Sequence, residues 1–455
     1  MIPLMAWYGD DFTGSAAVLE VLAFAGVSGV LFLKPPTDQQ RDRFSAARAV
    51  GLAGAARAQT PEWMEANLPV AFEWLHQSGA EIALYKVCST LDSAPQVGSI
   101  GRAIDIGQRV FDNAWVPCLV AAPQMRRYQC FGHLFAGAPT KVYRLDRHPV
   151  MARHPVTPMQ ESDVALHLSR QTGRQFGLVD LAALVDDEGA ASCLANAVQS
   201  GAEIISLDAQ SEADMSRCGK LIWDNRQAPQ FAVGSQGVAY ALVAHWAATG
   251  IIPTAPALPR LAPVQNILAV SGSVSAVTAA QIAHATSHGF VGIALDAAEI
   301  AVDGPASRRA LDAARGAAVK AFQSGQSPLI YTARGPDDPA VERYRRSVAA
   351  AGLTLHETNR RIGHVLGRLL QDLIAQTGAS RVVISGGDSS SHAAQELNIF
   401  ALEALAPVSP GAAMFRAASD DPATDGLEIA LKGGQMGRTS CFCDLCDGVR
   451  DHTNP

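Results

Sequence analysis

The sequence predicts an α/β protein of two domains, each with a mainly parallel sheet flanked by helices. Three observations predict it. Short apolar runs alternate with segments of helical period along most of the chain, which is the rhythm of strands joined by crossover helices. Several of those runs end in turns rich in glycine and hydroxyl residues, and a helical segment follows. The rhythm breaks at 251–263 (IIPTAPALPRLAP), where four prolines favour an extended connection. The length agrees, because 455 residues exceed what one core usually covers. The expected domains are 1–255 and 264–455, with 251–263 as the linker.

The first element is a strand over 2–7, broken by Gly9-Asp10-Asp11-Phe12-Thr13-Gly14 and followed by a helix that Gly26 closes. Strands are expected at 30–33, 82–86, 117–121, 203–207 and 231–233, with helices over 63–78, 97–109, 211–223 and from about 238. Residues 34–62 carry no clear period, and 122–160 are the most cationic stretch, punctuated by proline and glycine. Beyond the linker, strands are expected at 267–270, 290–295, 329–332, 382–385 and 428–431. Helices are expected over 276–286, 305–323 and 360–377, and after the 386–391 turn as far as Leu405.

Composition excludes several classes. Hydrophobic residues make up 48% and charged residues 17%, so the chain is globular, not disordered. Low charge on a large surface points to a partner copy, and a homodimer is the expected assembly. Lys and Arg number 36 against 43 Asp and Glu, a net charge of −7, with no basic run that could track a phosphate backbone. Nucleic acid is therefore not an expected partner, and anions must be held locally by a few cations and helix N-termini. There is no run of 18 apolar residues and no basic leader before an apolar run, so no membrane partner is expected. Eight cysteines, five of them scattered, fit a reducing cytoplasm.

Five patterns carry candidate chemistry. Asp10 and Asp11 sit at a strand's carboxyl end, where open α/β sheets place their sites. One could deprotonate or orient a hydroxyl while the other caps the helix or meets a metal; the plain alternative is a helix cap beside a solvated neighbour. Three turns, at 271–275, 386–390 and 432–437, each close a strand in the second half, and together they suggest a phosphate-bearing ligand. The alternative is that the glycines only permit tight turns. Neither a GxxxxGK[ST] loop nor a dinucleotide fingerprint is present. Lys86-Val87-Cys88-Ser89-Thr90 suits an anionic, hydroxylated ligand, or else a snorkelling lysine and a cap. Arg144 and Arg147, in a Pro-punctuated loop, could clamp a carboxylate or form a salt-bridged surface. Cys441, Cys443 and Cys446 lack a second C-x2-C pair, so exposed reduced thiols are expected rather than zinc.

Taken in order, these motifs resemble the four-carbon acid sugar kinases. The resemblance runs through Gly9–Gly14, Tyr85–Leu91, Val270–Ser275, Ser385–Ser390 and Leu431–Gly437, nearly the whole chain. It implies an N-terminal domain for the acid sugar, a C-terminal domain for ATP, and an active site in the cleft between them. It places the Asp10-Asp11 pair in the sugar site with one of the two as base; Asp11 is our first choice and Asp10 our second. Thr13, Lys86, Ser89 and Thr90 would contact substrate; the Arg144–His154 segment differs from the better-known members, and its Arg144 and Arg147 would supply positive charge. Ser271, Ser273, Gly386, Gly387, Asp388, Ser389, Gly433 and Gly434 would contact ATP, and Asp388 would lie near Mg2+. The sequence departs from the pattern after Leu91: Asp92-Ser93 stands where the kinases tend to have Arg-Gly. The substrate expectation is thus a small, tetronate-like sugar acid or another hydroxy acid. The alternatives are a binding protein that has lost catalysis, and a hydroxy-acid isomerase or dehydrogenase. Hydride transfer is disfavoured by the missing fingerprint.

Overall fold

The computed structural model of the chain describes residues 2–138, 141–154, 156–253, 258–386, 388–409 and 412–448, leaving aside the side chains of His356, Asp388, Ser389, Ser390, Ser391, Ser409 and Ala412. Two compact units divide it, Met1–Pro256 and Ala257–Pro455.

The strands of the first unit are β1 (Met5–Gly9), β2 (Gly29–Phe32), β3 (Ala49–Ala53), β4 (Ile82–Lys86), β5 (Val116–Leu119), β6 (Arg127–Cys130), β7 (His133–Gly137), β8 (Val142–Arg144), β9 (Phe176–Val179), β10 (Ile204–Leu207) and β11 (Gln230–Gly234). The main sheet runs β2-β3-β1-β4-β11-β5-β10-β9, and these pairings are parallel. Every residue of β1 and β4 is buried, as expected of strands covered on both faces. Aromatic rings fill this core: Phe111 stacks on Phe231 at 5.0 Å, and Tyr8 lies parallel to Tyr85 at 6.1 Å. The cationic stretch folds as a small antiparallel sheet, β6-β7-β8. Asp208 pins its tight turn by accepting the backbone N–H of Phe131 and of Gly132, the latter at 3.0 Å.

The second unit contributes β12 (Leu268–Ser271), β13 (Phe290–Ala294), β14 (Ser327–Tyr331), β15 (Arg381–Ser385), β16 (Ile399–Ser409), β17 (Ala412–Ser419) and β18 (Glu428–Lys432). Its sheet runs β13-β14-β12-β15-β18-β17-β16, parallel up to β18 and antiparallel over the last two pairings. The longest helix here, Leu355–Thr377, opens on a Thr354/Glu357 capping box and ends at Gly378, whose φ of 66° suits glycine.

Register sets the floor of each site. Gly9, Lys86 and Gly234 end level across β1, β4 and β11. Ser271, Ser385 and Lys432 end level across β12, β15 and β18. Residues on from these ends share one edge of each sheet, at its carboxyl side, where the connections β1 to β2 and β3 to β4 run to opposite sides of β1, and β12 to β13 and β14 to β15 to opposite sides of β12.

Two expectations are corrected. The helix expected up to Leu405 stops at Gln395, and residues 399–409 form β16. The C-terminal thiols are not exposed: Cys441 and Cys446 are buried on the helix Cys441–Asp447, packed with Phe290, Phe442 and Leu445. Buried Arg381 anchors that helix by donating to Leu445 O at 2.8 Å while pairing with Glu428. Among the described residues no cluster of three or more His, Cys, Asp or Glu could hold a metal, and no helix is long and apolar enough to cross a membrane.

Candidate functional site

In the first unit the carboxylate pair is organised by a residue the sequence reading did not single out, Arg57. β1 ends at Gly9, and Asp11 caps the helix Phe12–Phe24 by accepting Gly14 N–H at 2.9 Å. Arg57 lies in the 3-10 turn Ala56–Ala58 that follows β3, and its backbone N–H donates to Asp10 O at 2.9 Å. Its guanidinium donates twice to Asp10, at 2.7 and 3.1 Å, and twice to Asp11, at 2.7 and 2.9 Å. The Asp10 side chain is 3% exposed and the Asp11 side chain 28%. Burial pushes the Asp10 carboxyl up from its ordinary pKa; Arg57 opposes the shift and Asp11 adds to it. Burial works against the Arg57 charge, yet Asp10 and its neighbours more than offset this, and Arg57 titrates above the usual arginine range.

Gly14 has a steric reason. A Cβ there would stand 2.3 Å from Asp11 Oδ1 and 2.8 Å from Lys86 Nζ, so a side chain would push carboxylate and ammonium aside. Lys86 is buried, and its Nζ donates to Val87 O at 2.8 Å. Thr13 is exposed on the same first helical turn, while Ser89 and Thr90 are buried.

The segment after β4 is held in a strained shape. Leu91 has φ 52°, a region that branched residues rarely enter. Thr90 Oγ1 donates to Asp92 Oδ1 at 2.8 Å and lies 2.9 Å from Cys88 Sγ. Ser93 donates to Leu91 O at 2.9 Å, and its hydroxyl meets His167 Nε2 at 3.0 Å and Gln171 Nε2 at 2.9 Å. Burial lowers the His167 pKa to about 4. Cys88 and Asp92 act on Arg127, whose pKa is nevertheless lowered, first by burial, while Arg57 and Lys86 act on Cys88. Arg144 closes instead on Asp146, at 2.7 Å through both Nε and Nη2, and Arg147 approaches the same carboxylate at 3.4 Å.

In the second unit the turns after β12, β15 and β18 emerge side by side. Gly272 N–H donates to Ser385 O at 3.0 Å, and Gly386 N–H to Lys432 O at 2.9 Å. Ser275 caps the helix Ala276–Ser287, and its hydroxyl, with that of Thr278, donates to Gly434 O, the latter at 2.8 Å. Ser271 and Ser273 are buried, and a Cβ at Gly434 would stand 2.6 Å from Ser273 Oγ. The turns after β12 and β18 border a cavity of about 800 Å3, lined by Ser273, Ser275 and Gly434 and by the apolar side chains of Tyr344, Leu355 and Ile362. Glycine for close approach, hydroxyl donors and an apolar slot together fit a nucleotide. Gly387 and the side chains of Asp388 and Ser389 lie outside the described residues.

The structure thus brings Asp10, Asp11 and Lys86 to one edge, and Ser271, Ser273, Gly386, Gly433 and Gly434 to another. It places Arg144 at the end of β8 and Arg147 in the 3-10 turn that follows, both exposed. The one signal for Arg57 in the sequence was a lone arginine just before Thr60-Pro61, a helix start.

Comparison with known proteins agrees along the whole chain. Residues 5–242 match the family model described as "Sugar-binding N-terminal domain", and residues 268–442 the one described as "Nucleotide-binding C-terminal domain". The chain is 44% identical over 445 residues to a 3-oxo-isoapionate kinase of Paraburkholderia graminis, covering 98% of this chain and 94% of that one. It is 28% identical over 448 residues to a 3-oxo-tetronate kinase of Burkholderia multivorans, covering 97% and 96%. Among solved structures, a Salmonella typhimurium protein described as a putative tRNA synthase shares the fold with a TM-score of 0.79 at 23% identity, covering 97% of this chain and 98% of that one. A Haemophilus influenzae protein shares it at 0.74 and 20%, covering 96% and 98%. With both domain models matched in order and a 44% identical relative spanning nearly all of it, the chain belongs to the four-carbon acid sugar kinase family.

Proposed function

We propose that this chain transfers the γ-phosphoryl group of ATP to a hydroxyl of a small sugar acid of the 3-oxo type. The observation that carries the reading is the 44% identity to a 3-oxo-isoapionate kinase over 98% of the chain. The first unit holds the acid, a role that the description of its family model supports. The second holds the nucleotide in the serine- and glycine-bordered cavity, with Ser271, Ser273, Gly386, Gly387, Ser389, Gly433 and Gly434 around the phosphates.

Asp11 is the proposed base. It is the more accessible of the two carboxylates, and Arg57 together with the Gly14 N–H fixes its orientation. Asp11 accepts the hydroxyl proton as the oxygen attacks phosphorus, and ADP leaves with the bonding electron pair. Asp10 supports Arg57 from beneath. Thr13, Lys86, Ser89 and Thr90 are the proposed contacts to the acid and its hydroxyls. Arg144 and Arg147 would have to release Asp146 to join them. Mg2+ would neutralise charge on the phosphates when bound, and Asp388 is the carboxylate proposed to lie near it. A cytoplasmic homodimer completes the reading, and light scattering tests the dimer.

The test is a panel of four- to six-carbon sugar acids and their 3-oxo forms, with ADP release measured. Acid-dependent turnover, highest on 3-oxo acids, is expected. ATP consumption that no acid stimulates would remove the kinase reading.

A further inference from the structure

The loop after β18 is built inside out around a buried cation. Lys432 is 0% exposed, and its Nζ donates to Gly433 O at 3.0 Å, Met436 O at 3.2 Å and Thr278 Oγ1 at 3.3 Å. Gln281, also buried, donates from Nε2 to Met436 O, Gly437 O and Arg438 O at 2.9 to 3.0 Å. Ser275 and Thr278 hold Gly434 O. Nearly every carbonyl from 433 to 438 is therefore drawn inward.

In a trans peptide the N–H points opposite to the carbonyl of the same unit, so inward carbonyls turn the following N–H groups outward. Among the described residues no acceptor takes the N–H of Gly434, Gln435 or Gly437, and Gly434 and Gln435 border the cavity. Successive outward N–H groups form a concavity for an anion.

The charge beneath is unbalanced. Among the described residues no ion pair joins Lys432. Cys441 is the titratable group whose field reaches it, and burial keeps that thiol neutral by raising its pKa to about 11. Asp444, on the same helix, is turned away to Ser440 Oγ at 2.8 Å. A buried charge without a counter-charge is costly unless a ligand supplies one.

We propose that Lys432 is a positioning residue of the nucleotide site: it orients the 433–438 amides toward the triphosphate and carries the positive charge that the bound phosphates balance. This rests on the nucleotide reading above. Burial lowers its pKa to about 8 in the free chain, and a bound polyanion raises it again. Nucleotide binding above pH 8 therefore takes up a proton.

The experiment is calorimetry of ATP binding to the full-length chain at pH 6.5 and pH 8.5, in buffers of different ionisation enthalpy. The unaltered chain is expected to take up roughly half a proton or more at pH 8.5 and little at pH 6.5. Lys432→Met is expected to abolish the difference in uptake and to weaken ATP binding roughly tenfold or more. Thr278→Val, which leaves the lysine in place, should keep the uptake while weakening binding less. Binding without extra uptake at pH 8.5, or a folded Lys432→Met chain with unchanged uptake, overturns the role of Lys432 alone. No ATP binding at either pH overturns the nucleotide reading and this proposal with it.

Discussion

Each unit buries a lysine at the carboxyl end of a central strand, Lys86 on β4 and Lys432 on β18. Their surroundings differ. Around Lys86 the charges nearly cancel, with Asp10 and Asp11 against Arg57 and the lysine itself. Around Lys432 there is no carboxylate partner among the described residues, only carbonyls, a hydroxyl and a neutral thiol. The first environment suits a neutral hydroxyl that must lose a proton, because a carboxylate is on hand and the net field is small. The second suits a polyanion, because its positive charge is still unanswered. On the proposed reading, the first lysine would stand with the acid's hydroxyl and the second with the phosphates.

The comparison breaks most readily at Arg57. Arg57→Leu leaves Asp10 buried beside Asp11 without their shared cation. Losing one partner of such a buried pair costs about 3–5 kcal/mol. Turnover should fall roughly a thousandfold or more through the lost orientation of Asp11. ATP affinity should stay within a factor of about two, because the second unit's charges are its own. Chemical denaturation and calorimetry read both; a stable, active Arg57→Leu chain would mean that the carboxylates do not depend on it.

Asp11→Asn should lower kcat roughly 100-fold or more while the chain still binds acid and ATP. Asn keeps a side-chain oxygen for Gly14 N–H, so the helix cap survives. Asp10→Asn should show a lowered unfolding midpoint together with a raised KM. If Asp11→Asn keeps more than about a tenth of kcat and a stable Asp10→Asn loses far more, the two roles are exchanged. If both remain active, neither carboxylate is the base.

What was legible in the sequence follows the same physics. The parallel strands were visible because buried strands read as short, dense apolar runs, and β4 was placed residue for residue. β3 was not, because AVGLA has a single β-branched residue and resembles its Ala-rich surroundings. The β16 strand, IFALEALAPVS, is rich in Ala and Leu and reads as helix until tertiary pairing with β17 overrides it. The motifs at 9–14 and 432–437 could be found because turns at strand ends need glycine. Arg57 was hidden because its partners lie 46 and 47 residues away in the chain. The inward turn of the Lys432 loop depends on a glutamine more than 150 positions earlier, which no local pattern signals.

pH extends the comparison, since each unit buries a base whose pKa is lowered, His167 in the first and Lys432 in the second. His167 is held neutral, with its pKa lowered to about 4 by burial. Between about pH 6.5 and pH 4 the unfolded chain binds a proton that the folded chain refuses, so the stabilising difference is whole above 6.5 and is lost on acidification. The loss amounts to about 3 kcal/mol at most. His167→Gln should flatten the stability curve over that window. Parallel curves for variant and parent would show that the Ser93–His167–Gln171 contact does not hold the 90–93 loop. Lys432 follows the same sign in a higher window: its buried proton is a cost at neutral pH, and stability recovers as pH rises from about 8 to about 10.5.

The smallest effect is expected where the sequence is most cationic. Arg144 and Arg147 were expected to clamp an acid group, and a clamp needs a free planar fork. The Arg144 fork already closes on Asp146, 41% exposed to water, and Arg147 is 75% exposed beside the same carboxylate. Exposed pairs of this kind add little to stability. Hydrogen bonding to Asp146 raises the Arg144 pKa, and the pairing in turn keeps Asp146 below its ordinary range. Arg144→Lys and Arg147→Lys should therefore each leave kcat/KM within about twofold of the parent. Recruitment to substrate would instead cost about tenfold, or 1.4 kcal/mol, because lysine keeps the charge and loses the fork. If either lysine variant loses tenfold in kcat/KM with an unchanged unfolding midpoint, the 144–147 loop swings onto the acid in the loaded enzyme. The charge balance around Lys86 would then include an arginine that arrives with the substrate.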